Sequence, residues 1–126
     1  MIEIFVFGSN TAGIHGAGAA KFAHTKHGAV LGVGEGLRGT SYALPTKNAT
    51  IETLPLEEIK THVAKFLKFA SENTGMIFNV TRVGCGLAGY KDNEIAPMFV
   101  YSSSNCCFPT EWQPWLGNSV SYHDLH

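Results

Sequence analysis

The chain has 126 residues, a formal charge of −1 from 9 Lys and Arg against 10 Asp and Glu, 44% hydrophobic residues and 14 glycines. That is enough chain for a single domain, 1–126, and too little for two. The charge balance supplies no basic surface for gripping nucleic acid, and no apolar run reaches the roughly 18 residues of a membrane span.

Met1 leads directly into Ile2, Ile4 and Val6, so no targeting segment is expected. Cys85, Cys106 and Cys107 are odd in number and make no disulfide framework, which suits a cytoplasmic protein, in the host cytoplasm if the chain is phage-encoded. Neither a metal site nor a cofactor is expected.

Residues 2–7, β-branched and aromatic, read as a strand buried on both faces that stops at Gly8. A helix over about 18–26 carries Ala19, Ala20, Phe22 and Ala23 on one side and ends at Gly28. Residues 29–40 hold too many glycines for a stable element, and 41–44 read as a short strand ended by Pro45. The clearest helix covers about 55–70, where Leu56, Ile59, Val63, Phe66, Leu67 and Ala70 recur at helical spacing. A second strong strand, 76–82, precedes a helix capped by Asp92 or Asn93 and containing Ile95, Met98 and Phe99. A last short strand is expected at 105–108, with nothing regular in the tail, 110–126. This order implies an α/β domain with a mostly parallel or mixed sheet and helices on both faces.

The glycines fall in three clusters: Gly8 to Gly18, Gly28 to Gly39, and Gly84 to Gly89. The first and third each follow a strand and precede a helix, where α/β sheets bind ligands. Glycine lets main-chain N–H groups approach an anion, and a helix N-terminus adds about half a positive charge, so two such loops would cradle a diphosphate. A Walker Gly-Lys-Ser/Thr is absent, and no aspartate precedes Asp92 to read a ribose in the Rossmann manner. The second cluster reads as a flexible connection that closes over the site.

Phe7-Gly8-Ser9-Asn10 followed by His15-Gly16-Ala17-Gly18-Ala19-Ala20 resembles the first signature of macrodomains, and Val83-Gly84-Cys85-Gly86-Leu87-Ala88-Gly89-Tyr90 their phosphate loop. Tyr42-Ala43-Leu44-Pro45-Thr46-Lys47 is similar to the branch that cleaves ADP-ribose from acidic side chains. The whole pattern also resembles short macrodomain-like proteins of bacteria and phages. The resemblance implies a three-layer α/β/α domain. Asn10 would contact the distal ribose, and Gly16 to Ala19 would lie against that ribose and the diphosphate. Gly84, Cys85, Gly86, Leu87, Ala88, Gly89 and Tyr90 would wrap the phosphates, with Gly8, Ser9 and His15 completing the site. Lys47 matches the lysine that attacks the distal ribose. The branch carries a catalytic aspartate directly after Gly-Cys-Gly-Leu, where this chain has Ala88; Asp92 is its nearest substitute.

These residues support a protein that binds ADP-ribose or a related NAD-derived nucleotide and sequesters it. The alternative is an ADP-ribosyl hydrolase or ADP-ribose-1″-phosphate phosphatase using Asn10, His15, Lys47 or Asp92. Several residues have plainer readings: His15 as an exposed loop histidine, Lys47 as a solvated turn residue, Cys85 as a small filler, and Trp112 and Trp115 as packing of the tail rather than purine stacking.

Overall fold

A computed structural model describes residues 1–124, so the last two residues of the tail expected to be irregular lie outside the described residues. The described residues form a six-stranded sheet in the order β2-β3-β1-β4-β5-β6. The strands are β1 (Ile2–Asn10), β2 (Gly36–Arg38), β3 (Ser41–Lys47), β4 (Met76–Val80), β5 (Cys106–Pro109) and β6 (Ser121–His123). All neighbours are parallel except the β2–β3 hairpin. The helices are α1 (Gly18–Lys26), α2 (Leu56–Glu72), α3 (Asp92–Ile95), which runs on into a 3₁₀ turn over Ala96–Phe99, and α4 (Gln113–Leu116). No helix among the described residues is long and apolar enough to cross a membrane.

Alternation along β1 divides the buried side chains. Ile4 and Val6 join Tyr42, Leu44, Phe66, Phe78 and Trp112 in the larger cluster, while Phe5 and Phe7 meet Ala23 and Ala43 in the smaller. The larger cluster takes the apolar stripe of α2, in which Ile59, Val63, Phe66 and Ala70 are buried at spacings of 4, 3 and 4.

Four expected boundaries are corrected. Gly8 does not end β1; it pairs with Leu44 inside the ladder, and the strand continues to Asn10. Pro45 does not end β3, because the β1–β3 register shifts beside it, between Ser9 and Asn10, where a missing donor is tolerated. The glycine segment 28–39 contains β2 and is tied down rather than free. Its Gly32 N–H donates to the Gly13 carbonyl at 2.9 Å, the Ser9 hydroxyl donates to the Gly34 carbonyl, and Glu35 meets His62 at 2.6 Å and Lys65 at 3.2 Å on α2. The tail folds onto the sheet: Trp112 is fully buried, packs 5.3 Å from Phe99 centroid to centroid, and leads through α4 to β6 alongside β5.

Candidate functional site

β1 and β4 lie side by side, yet the chain leaves β1 toward β3 and leaves β4 toward β5, so the loops after their C-termini diverge. A crevice opens at such a switch point. Here it is a cleft of about 450 Å³, within the usual range of small-molecule sites.

The first loop supplies Gly8, Ser9, Asn10, Gly16, Ala17, Gly18 and Ala19 to the cleft wall, and the second supplies Gly84, Gly86, Leu87 and Ala88, with Lys47 from β3. The two glycine loops expected to face one ligand therefore do border one cavity. They approach closely where a Cβ on Gly18 would stand 3.3 Å from Leu87 Cδ1 and where one on Gly8 would stand 3.7 Å from the Gly84 nitrogen.

The glycines of these loops differ in what they are for. A Cβ on Gly34 would fall 2.2 Å from the Asn10 carbonyl oxygen, so the second glycine segment must be glycine there to buttress the first loop. Gly16 and Gly86, by contrast, have nothing within 4 Å of an added Cβ and do not sit at positive φ. Nothing within the folded chain demands glycine at these two cleft-lining positions.

Helix α1 begins at the cleft with no side-chain cap and no acidic residue in its first turn. Gly18, Ala19 and Ala20 all line the cavity. The first N–H groups of a helix have no acceptor within it, so this end presents main-chain donors and the positive pole of nine residues of helix.

Most polar side chains around the cleft are engaged in holding it. Asn10 clamps its own loop, its Nδ2 donating to the Ile14 carbonyl at 2.6 Å and its Oδ1 accepting from the Ile14 N–H at 2.9 Å. The Thr81 hydroxyl donates to the Val6 carbonyl at 2.7 Å, and the Thr46 hydroxyl to that of Ser9 at 3.3 Å. Among the described residues Lys47, which lines the cavity, has no side-chain hydrogen-bond or ion-pair partner.

Five expected site residues do not line the cavity. His15 is buried rather than an exposed loop histidine: its Nε2 faces the Val30 carbonyl at 3.1 Å, its ring meets the edge of Phe7, and Nδ1 has no partner. Cys85 is half-buried; burial first, then nearby Asp92, pushes its thiol up to about 12, which keeps it protonated and unreactive at neutral pH. Gly89 makes the turn of the second loop, its N–H donating to the Gly86 carbonyl at 3.0 Å, and the Tyr90 hydroxyl donates to the Leu54 carbonyl at 2.7 Å. Asp92 accepts two hydrogen bonds from Arg82, at 3.0 and 2.7 Å, and one from the Trp112 indole at 2.8 Å. Burial works to raise its pKa, but these donors outweigh it and hold the carboxyl below its ordinary value. A carboxylate so occupied is a poor general acid or base.

The cavity also has walls to which no role was assigned from sequence: Ile14, Ala20, Thr46, Ile51, Thr81, Arg82 and Val83. Ala20, Thr46 and Val83 stand within the quoted motifs, and Thr46 and the 81–83 segment lie at or just beyond strand C-termini. Ile51 carried no signal, since an isoleucine reads by default as core.

Compared with models of protein families, with curated proteins and with solved structures, the chain matches none.

Proposed function

We propose that the cleft binds ADP-ribose or a related NAD-derived nucleotide, on a three-layer α/β/α domain of the macrodomain type. The carrying observation is the uncapped, acid-free N-terminus of α1 opening into the cavity at the switch point. Such an end favours an anion, and main-chain donors need few basic side chains, in keeping with a net charge of −1. Gly16 and Gly86 support the same reading, because both line the cavity and have nothing within 4 Å of an added Cβ, which leaves the main chain there open to a diphosphate. Besides these glycines the cavity is lined by Lys47 and Ile51, at and just beyond the end of β3, and by Thr81 and Arg82, just beyond the end of β4. A volume of about 450 Å³ with this lining has room for a diphosphate carrying organic groups.

Leucine at either glycine tests the assignment. Gly16→Leu and Gly86→Leu are expected to keep the wild-type melting temperature, since both positions are open, and to weaken ADP-ribose binding at least tenfold in a thermal-shift titration. Unchanged affinity in both variants would remove the diphosphate from this cleft.

A second reading, hydrolysis of an ADP-ribosyl bond, draws on Lys47, which lines the cavity and whose ammonium has no partner among the described residues. In that case Lys47→Ala abolishes release of ADP-ribose from an ADP-ribosylated glutamate protein while ADP-ribose still binds. No release by the wild type leaves binding as the sole activity of the site.

A further inference from the structure

Ile51 is the sole non-glycine residue at positive φ among the described residues, at +65°. For a β-branched side chain this left-handed conformation is strained, and turns that need it ordinarily take glycine or asparagine. Its neighbours enforce it. Thr53 bridges to Lys47, the Asn48 N–H donates to the Glu52 carbonyl at 2.8 Å, and the Ile51 N–H donates to the Asn48 carbonyl at 3.1 Å. The Asn48 side-chain oxygen accepts from the N–H groups of Thr50 and Glu52 at 3.0 and 2.9 Å. The Thr53 hydroxyl donates to the Ala88 carbonyl at 2.9 Å, tying this hairpin to the phosphate loop.

The strained side chain is only partly buried in return. Ile51 is 44% exposed, and what it borders is the cleft, together with Ile14 at 49% and Leu87 at 69%. Three large apolar side chains from three separate loops thus stand half in solvent around one cavity. A strained, part-exposed isoleucine held at the edge of a cavity by a cage of hydrogen bonds is placed to meet something that enters it.

We propose that Ile51 is a specificity-determining residue, presented by its hairpin as an apolar wall against the ring-bearing group esterified to the diphosphate at the β3 end of the cleft. The inference rests on the nucleotide reading above and narrows it: the ligand carries a sugar or base ring against Ile51, and free phosphate or pyrophosphate is a poor substitute.

The test is calorimetric titration of ADP-ribose into wild-type, Ile51→Gly, Ile51→Asn and Ile51→Val protein, with melting temperatures alongside. Glycine and asparagine accept the turn and remove the wall, so affinity is expected to fall about tenfold or more while the melting temperature stays level or rises. Valine keeps most of the wall and stays within a few-fold of wild type. Wild-type affinity in Ile51→Gly and Ile51→Asn overturns the inference while leaving the nucleotide reading intact. So does a fall in melting temperature in both variants that accounts for their lost binding, because Ile51 is then ordinary packing. Absence of ADP-ribose binding by the wild type overturns the nucleotide reading itself, and this inference with it.

Discussion

Gly34→Ala is expected to lower the melting temperature by about 10 °C, corresponding to a loss on the order of 3 kcal/mol. The added Cβ would lie 2.2 Å from the Asn10 carbonyl oxygen and 2.9 Å from two main-chain carbons of Thr11. Those are backbone atoms, so no rotamer change relieves the clash; either the end of β1 or the glycine segment must move. The Ser9 hydroxyl bond to Gly34 and the Gly32 bond to Gly13 are then broken as well. ADP-ribose binding should fall with stability, because this junction sets the base of the first loop. Gly75→Ala is the control: its Cβ meets nothing within 4 Å, its φ is not positive, and its melting temperature should not change. Equal stability of the two variants in a thermal melt would mean that the glycine segment does not buttress the loop.

Asp92→Ala is expected to cost about 3 kcal/mol, through a buried donor left without its acceptor. The Arg82 guanidinium is 42% exposed and re-enters water when its partner is removed, so the ion pair itself contributes less than about 1 kcal/mol. Trp112 is fully buried, and its indole N–H has Asp92 as its acceptor. Asp92→Asn retains an acceptor for that N–H and should lose only about 1 kcal/mol. The pH dependence follows from the lowered carboxyl pKa. A group whose folded pKa lies below its unfolded value adds stability above the unfolded value, about 3.9 for aspartate, and loses it as pH falls through the folded one. The stability difference between wild type and Asp92→Asn should therefore be level from about pH 5 to 8 and shrink below about pH 4, as followed by urea unfolding. A difference unchanged down to pH 2 would show that the charge on Asp92 contributes nothing.

The pattern of regular elements was legible wherever periodicity ran long enough. The stripe from Ile59 to Ala70 specifies α2, and the unbroken apolar run from Ile4 to Phe7 specifies a strand buried on both faces. Boundaries were missed where a local rule was overridden by pairing. Gly8 and Pro45 punctuate a lone chain, but here both lie inside the β1–β3 ladder, next to its register shift. The tail was unreadable because its pieces, a 3₁₀ turn over Thr110–Trp112, α4 and β6, are each three or four residues long, too short for any period to register. They are held by Trp112 in the core and by pairing with β5.

The two loops of the candidate site were visible as glycine clusters between a strand and a helix, and they do border one cleft. Individual roles were not visible, because they depend on which way a side chain turns. His15 sits one residue from Gly16 yet is buried against Phe7 and the Val30 carbonyl, and Asp92 is drawn away by Arg82 and Trp112. Nor does a glycine in a sequence announce whether it spares a clash within the chain, as at Gly34, or leaves room for something else, as at Gly16 and Gly86. Ile51 was hidden for the opposite reason, since only its dihedral angle and exposure set it apart from a core residue.

Titration of ADP-ribose into the wild-type protein and into Gly86→Leu, by calorimetry at neutral pH, bears most directly on the proposal that the cleft binds a nucleotide. The expected result is a saturable heat with the wild type, at a stoichiometry of one ligand per chain, that is lost or shifted at least tenfold in a Gly86→Leu protein of unchanged melting temperature. A wild-type protein that gives neither heat nor thermal stabilisation at millimolar ADP-ribose would contradict the account.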